Sequence, residues 1–159
     1  MRPWGSDGGD PKALTAAWND ESIARWTKVP ENRDHDAAAH WIAGESARRA
    51  SGLAVDLVVT EAGQPQEVLG EVGLVLVDPD RRWAEVGYWL FESARGAGRG
   101  GEALIMFTTW ALRDLGMQRL FARTHGDNPA SGRVAERAGY DMAGTLDDGI
   151  QVWVRDVGP

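Results

Sequence analysis

A glycine-rich segment at residues 95–101 is the part of the sequence whose composition and spacing point most directly to chemistry. An apolar, strand-like run (85–91) comes before it and a helical run (102–115) follows it. A strand that turns into a helix leaves backbone N–H groups unpaired near the positive end of the helix dipole, and glycine lets a ligand approach them. The segment therefore predicts an anion cradle suited to a pyrophosphate. In order, it reads Arg95, Gly96, Ala97, Gly98, Arg99, Gly100 and Gly101.

Two common phosphate-binding motifs must be compared with this segment. Gly96-x-Gly98-x-x-Gly101 matches the dinucleotide fingerprint and lies between a strand-like and a helical run. A dinucleotide fold needs successive parallel βαβ units, however, and Asp127 comes later than the acidic residue expected about 20 residues on. The chain has no Gly-Lys-Ser/Thr sequence, which excludes a nucleoside-triphosphate P-loop. A dinucleotide-binding oxidoreductase is therefore the weaker alternative.

The periodicity of the apolar residues predicts helices first and a sheet afterwards. Three strand-like runs are joined by loops too short for a crossover helix, so we expect antiparallel neighbours. The glycine segment and its helix join the third run to a fourth in a parallel, right-handed βαβ unit. Asp10 and Asn19 are the predicted caps of the first two helices. The predicted helices are 10–18, 19–26, 36–50, 102–115 and 129–138, and the predicted strands are 53–60, 68–77, 83–91, 118–124, 141–146 and 150–155.

Length and composition predict a single domain over residues 1–159. No apolar run reaches the roughly 18 residues that a membrane span needs. Cysteine is absent, which excludes disulfides, thiolate metal sites and a cysteine nucleophile, and we expect no metal. The formal net charge of −7 argues against nucleic-acid binding and favours cationic partners such as amines. Residues 1–11 contain no signal-peptide core, so we expect a cytoplasmic protein.

Motifs along residues 10–146 resemble one family, the GCN5-related N-acetyltransferases (GNAT), and within it the RimJ/RimL-like branch. The glycine segment resembles the acetyl-CoA signature of that family. Each motif alone is weak, but their order and spacing together are specific. The motifs are Glu85-Val86-Gly87-Tyr88-Trp89-Leu90, Arg95-x-x-Gly98-x-Gly100, Asn128-x-x-Ser131 and Ala138-Gly139-Tyr140.

The resemblance implies an α/β fold of the mixed α+β kind. Its central sheet is mixed and mostly antiparallel, with helices on both faces and a gap between the fourth and fifth strands that admits acetyl-CoA. Backbone groups of Leu90 and Phe91 would contact the pantetheine, and Asn128 and Ser131 would lie along the same arm. The residues implied around the pyrophosphate are Arg95, Gly96, Ala97, Gly98, Arg99 and Gly100.

Acetyl transfer to an amine requires a base for the ammonium proton, and the departing thiolate benefits from an acid. Direct attack in a ternary complex needs no covalent intermediate, which agrees with the missing cysteine. Glu85 is the first candidate base, acting through water, and His125 is the second because an unperturbed histidine suits the role. Many family members have a tyrosine acid seven residues after the asparagine. Here that position is Ala135, and Ser131 is the candidate acid.

We therefore predict an acetyl-CoA-dependent N-acetyltransferase acting on a primary amine. The acceptor is a protein N-terminus or a small molecule such as an antibiotic or a polyamine, and the sequence does not choose between them. A non-catalytic acyl-CoA-binding or regulatory module stays open as the alternative. We expect no nucleic-acid or membrane partner, and a homodimer is left open.

Overall fold

The computed structural model describes residues 1–5 and 8–158, whose strands all belong to one sheet. The strands are β1 (Arg2–Pro3), β2 (Ala54–Val59), β3 (Gly70–Asp78), β4 (Trp83–Leu90), β5 (Arg119–His125), β6 (Asp141–Thr145) and β7 (Ile150–Asp156). The helices are α1 (Asp10–Asn19), α2 (Glu21–Ala24), α3 (His35–Ala43), α4 (Glu45–Ala50), α5 (Arg99–Arg113) and α6 (Pro129–Arg137), with a 3-10 turn at Glu92–Ala94. The order of the strands across the sheet is β1-β2-β3-β4-β5-β7-β6.

The pairing within the sheet confirms the predicted topology. β2, β3 and β4 form an antiparallel meander, and α5 then carries the chain to β5, which is parallel to β4. The parallel register runs only from Trp83 opposite Arg119 to Val86 opposite Ala122, although both strands continue beyond it. The strands therefore diverge, and we call the opening beyond Val86 and Ala122 the β4–β5 gap.

Two hydrophobic clusters, one on each face of the sheet, hold the helices in place. The first packs α5 and α6 against the sheet around Leu104, Phe107 and Leu120, which are fully buried. The second includes Leu14 from α1 and Val58 from β2, together with side chains of α3. Alternation along β4 sends Val86 to the first cluster and Trp89 to the second. The helices thus lie on both faces, as predicted.

Both predicted caps in the N-terminal helices were wrong by one residue. Gly9 occupies the cap of α1, because the carboxylate of Asp10 is used elsewhere, accepting from Arg2 and from the backbone of Gly5. Asp20 caps α2, accepting from the amide of Ser22. Aspartate and asparagine are adjacent here and have similar cap preferences, so the sequence pattern could not choose between them.

The helix predicted at residues 36–50 is in fact α3 and α4, which meet at Gly44. In an unbroken helix the carbonyl of Trp41 accepts from residue 45. Here it accepts from the guanidinium of Arg48 at 3.0 Å, and the same guanidinium lies 4.2 Å from the centroid of the Trp41 ring. Strand β1 was not predicted from the sequence, because two residues are too few to show the alternation of a strand. No helix among the described residues is long and apolar enough to cross a membrane.

Candidate active site

The β4–β5 gap leaves backbone groups of β4 without a neighbouring strand. The amide of Phe91 donates to the carbonyl of Leu69 at 3.0 Å. This bond continues the β3–β4 register, in which Gly70 lies opposite Leu90. Because antiparallel pairing alternates, the backbone groups of Tyr88 and Leu90 point the other way, towards the gap. An open edge of this kind can pair with an extended ligand.

The two residues at the end of β4 differ in what they can offer a ligand. Both backbone groups of Phe91 are used inside the protein, since its carbonyl accepts from Ala94. The carbonyl of Leu90 accepts from the side chain of Arg95, while its amide points into the gap. The amide of Leu90 is therefore the donor that faces the gap, and the backbone contact predicted for Leu90 and Phe91 stays a prediction.

The glycine segment is a turn of backbone amides at the start of α5. Gly96 and Gly98 have φ of 84° and 83°, the left-handed region in which glycine is favoured. Gly98 is the cap of α5 and has no side chain to satisfy the first turn. Within the described residues, no amide from Gly96 to Gly101 donates to a protein acceptor. Six such donors at a helix N-terminus suit an anion.

The two arginines of the segment turn away from these amides. Arg95 donates to the carbonyl of Leu90 at 2.9 and 2.8 Å and to the hydroxyl of Ser22 at 2.9 Å. Arg99 pairs with the carboxylate of Glu61 in the β2–β3 loop at 2.8 Å. A cavity of about 190 Å³ lies beside this pair and is also lined by Glu67. Both guanidinium groups are thus occupied by groups of the protein.

On the other side of the gap, α6 presents the predicted asparagine and serine. The side-chain oxygen of Asn128 accepts from the amide of Ser131 at 3.2 Å, so Asn128 is the cap of α6. The hydroxyl of Ser131 lies 2.6 Å from that of Tyr88, which also donates to the Ser131 carbonyl at 2.9 Å. Burial raises the pKa of Tyr88 to about 12, so this phenol stays protonated. Tyr88 was not singled out from the sequence.

Glu85 lies where β4 and β5 diverge. Both of its carboxylate oxygens accept from the guanidinium of Arg123, at 2.9 and 2.6 Å. Glu85 is paired in the sheet with Phe121, and Arg123 is the first residue of β5 beyond the part that pairs with β4. The ion pair therefore crosses the narrow end of the gap, with both side chains partly open to solvent.

His125 ends β5 and is exposed. Its ring packs against Trp26 with the centroids 5.3 Å apart, and its carbonyl accepts from the amide of Asn128. Because side chains alternate along β5, His125 is on the same face as Arg123, and the buried Thr124 is on the other face. Trp26 from the segment after α2 therefore covers the end of the strand.

Glu71, a carboxyl group of β3 on the same face as Trp89, was not singled out from the sequence. Its oxygens accept from the indole nitrogens of Trp4 at 2.7 Å and Trp89 at 3.1 Å. Burial, and then the charge of nearby Asp56, raises the pKa of Glu71 to about 8, against the lowering effect of the indoles and Arg48. Only the alternation of β3 could have indicated it, by placing an acidic residue on an inward face.

The structure thus divides the predicted residues between the two faces of the sheet. Ser131 and Asn128 lie on the α6 side, while Glu85 and His125 lie on the side of the N-terminal helices. Within the described part of the chain, no hydrogen bond joins Glu85 to His125 or Ser131. The gap separates the two sets, so a molecule threaded through it can meet groups from both.

Comparison with known proteins supports the fold described above. The family model described as "Acetyltransferase (GNAT) domain" matches residues 1–141. A ribosomal-protein-serine acetyltransferase of Escherichia coli (strain K12) is 32% identical over 80 residues, 50% of this chain and 45% of that protein. The match to this curated relative therefore spans less than half of that relative's length.

Solved structures share the fold at low sequence identity. RimL, a ribosomal L7/L12 alpha-N-protein acetyltransferase in complex with coenzyme A, has a TM-score of 0.82 at 20% identity, over 98% of this chain and 92% of that one. The ribosomal-protein-S5-alanine acetyltransferase from Vibrio fischeri has a TM-score of 0.85 at 16% identity, over 98% and 91%. The likeness read from the sequence motifs is confirmed by the family model over most of the chain and by the fold, and the chain belongs to the GNAT family of acetyltransferases.

Proposed function

We propose that this acetyltransferase moves the acetyl group of acetyl-CoA to a primary amine, by direct attack in a ternary complex. One observation carries the proposal: the β4–β5 gap opens beside a turn of unpaired amides at the start of α5. The gap offers a strand edge to an extended pantetheine, and the turn offers donors to a pyrophosphate. RimL, which shares the fold, is in complex with coenzyme A.

The cosubstrate would be held mainly by the backbone. The amides of Gly96 to Gly101 would bind the pyrophosphate, and the groups of Tyr88 and Leu90 that face the gap would pair with the pantetheine. Asn128 and Ser131 would border the same arm from α6. The left-handed turns at Gly96 and Gly98 support this arrangement, since glycine lets a ligand approach the backbone there closely.

The reaction itself is a simple exchange at the thioester carbonyl, for which acetyl-CoA supplies the acetyl group. The amine nitrogen forms the new bond to carbon, the carbon–sulfur bond breaks, and the ammonium proton passes to a base. Ser131 is the proposed donor to the departing sulfur. Tyr88, fixed beside it at 2.6 Å, would orient its hydroxyl, and the fully buried Ala135 excludes the tyrosine acid found in many relatives.

The acceptor amine would approach from the other face, where Glu85 and His125 lie. Glu85 is the proposed base, acting through a water molecule. Its pairing with Arg123 fixes the carboxylate at the narrow end of the gap, close to where the pantetheine would end. The acidic surface of the chain, net charge −7, favours cationic acceptors such as protein N-termini or small amines.

The decisive experiment measures thiol release from acetyl-CoA with a panel of N-terminal peptides, polyamines and aminoglycosides. We expect acetylation of at least one amine, confirmed by mass spectrometry, at a rate above hydrolysis. Tight coenzyme A binding without acetylation of any acceptor would favour the non-catalytic acyl-CoA-binding module. Tight NAD(P) binding without coenzyme A binding would favour the dinucleotide-binding oxidoreductase.

Replacement of Glu85 tests the assignment of the base. We expect Glu85→Gln to lower kcat about 100-fold with KM for acetyl-CoA little changed, because the amide keeps the volume but cannot take the proton. Glu67→Gln, in the exposed β2–β3 loop, is the matched control. A larger loss in His125→Ala than in Glu85→Gln would transfer the role to His125.

A further inference from the structure

The ion pair between Glu85 and Arg123 joins the proposed base to a guanidinium that has no assigned part in the reaction. Both carboxylate oxygens of Glu85 accept from Arg123, at 2.9 and 2.6 Å. The guanidinium therefore competes with the water through which Glu85 would act. Within the described chain no second acidic group pairs with Arg123, whose neighbour across the sheet on β7 is Val152. An anion that takes the place of Glu85 on Arg123 would thus release the base.

A second ion pair on the same face of β5 differs in its position in the sheet. Arg119 pairs with Asp156, and these two residues lie directly opposite each other where β5 is hydrogen-bonded to β7. Arg123 instead reaches back to Glu85 between strands that no longer pair, and 48% of the Arg123 side chain and 34% of the Glu85 side chain are exposed. Exposed ion pairs contribute little to stability. Arg123 can therefore exchange Glu85 for another anion by side-chain rotation alone.

Two further side chains at this end of β5 can donate to an anion. His125 is on the same face as Arg123, and its ring centroid lies 5.3 Å from that of Trp26. The guanidinium of Arg25 lies 4.6 Å from the centroid of the same indole, and no ion pair among the described residues includes it. Asp127, two residues beyond His125, is exposed and pairs with none of these groups within the described chain. The acceptor side of the gap therefore offers donors to an acid, although the chain carries a net charge of −7.

We propose that Arg123 binds an acidic side chain of the acceptor, and that the acceptor is a peptide N-terminus whose second residue is aspartate or glutamate. This inference rests on the proposed acetyl transfer and names the class of amine that the site selects. The planar fork of the guanidinium matches a carboxylate with two parallel hydrogen bonds. Such a peptide carries one cation and one anion, which match Glu85 and Arg123 once the ion pair between them opens.

The spacing along β5 suits this arrangement. Glu85 lies opposite Phe121, and Arg123 is two residues further along the strand. Residues two apart on a strand are about 7 Å from each other, and the amine of an extended peptide lies about as far from the acid of its second residue. The amine therefore reaches the water on Glu85 when the acid lies on Arg123. The released carboxylate of Glu85 then takes, through that water, the proton that the ammonium loses.

Steady-state acetylation of matched peptides tests the proposal. Three peptides differ only in their second residue, which is aspartate, asparagine or lysine, and spermidine is the amine without an acid. We expect kcat/KM for the aspartate peptide to exceed that for the asparagine peptide about 10-fold, the lower end of the range for a charge-assisted hydrogen bond. Arg123→Gln should remove this preference, and Arg123→Lys should keep part of it. Arg119→Gln is the matched control, because it breaks the other ion pair on this face of β5 and should keep the full preference.

The outcomes separate this inference from the function on which it rests. Equal kcat/KM for the three peptides, a preference that survives in Arg123→Gln, or faster acetylation of spermidine or the lysine peptide would overturn the role of Arg123 and leave the acetyltransferase standing. The preference should appear in kcat as well as in KM, and an effect on KM alone would contradict the release of Glu85. If the unmodified protein acetylates no amine, the proposed function fails. Circular dichroism and unchanged coenzyme A affinity establish that each variant is folded.

Discussion

Alanine at Gly70 is expected to lower the free energy of unfolding by about 3 kcal/mol, because the added methyl group has no space. A Cβ at this position would lie 2.1 Å from the carbonyl oxygen of Trp89 and 2.9 Å from Cα of Leu90. Both are backbone atoms of β4, so the strands themselves would have to move apart. The measurement is the midpoint of urea unfolding followed by tryptophan fluorescence.

The same substitution should also weaken coenzyme A binding in the fraction that stays folded. Gly70 is in register with Leu90, the last residue of β4 before the glycine segment. A displacement there changes the direction in which the Leu90 amide points. Gly144→Ala, in β6, is the control, because a Cβ at that position meets no atom within 4 Å. Equal unfolding midpoints for the two variants would contradict the close approach of β3 and β4.

The second large effect is a loss of stability as the pH rises, caused by Glu71. Its folded-state pKa of about 8 lies above the ordinary value of 4.5, so folding favours the protonated form. The contribution to stability is therefore complete below about pH 4.5 and is lost as the pH rises through 8. One pKa unit corresponds to about 1.4 kcal/mol, so the shift from 4.5 to about 8 sets an upper bound of about 5 kcal/mol on the loss between these limits.

Glu71→Gln removes the ionisation and should flatten this dependence. Thermal melts from pH 5 to pH 9 should show the variant melting above the unmodified protein at pH 9. At pH 5 it should have no advantage, because the amide accepts well from only one of the two indoles. Asp56, whose pKa burial raises to about 6, keeps a smaller slope at lower pH in both proteins. Glu67→Gln is the control, and parallel melting curves for all three proteins would refute the role of Glu71.

Local sequence signals predicted the parts of the site that depend on local structure. The strand–glycine–helix order of residues 85–115 is a pattern of near neighbours, and the structure has it. The antiparallel meander followed from loop lengths alone. Tyr140, from the last of the four motifs, is buried with its hydroxyl 2.8 Å from that of Thr108.

The remaining features depend on partners distant in sequence, which a single chain does not reveal. Arg99 meets Glu61 and Arg95 meets Ser22 only because the sheet brings the β2–β3 loop and α2 to one end of β4. In the sequence, Tyr88 and Glu71 look like ordinary strand residues. Their partners, Ser131 of α6 and Trp4 after β1, are distant in sequence and meet them only in the folded chain.

The two arginines that turn away from the amides have a consequence for the cost of ligand binding. Through Arg95 the glycine segment is tied to α2, and through Arg99 it is tied to the β2–β3 loop. A glycine-rich turn without such ties would sample many conformations and lose that freedom when a ligand orders it. Here the entropy is lost when the chain folds, so that less of the binding free energy is spent on ordering the turn.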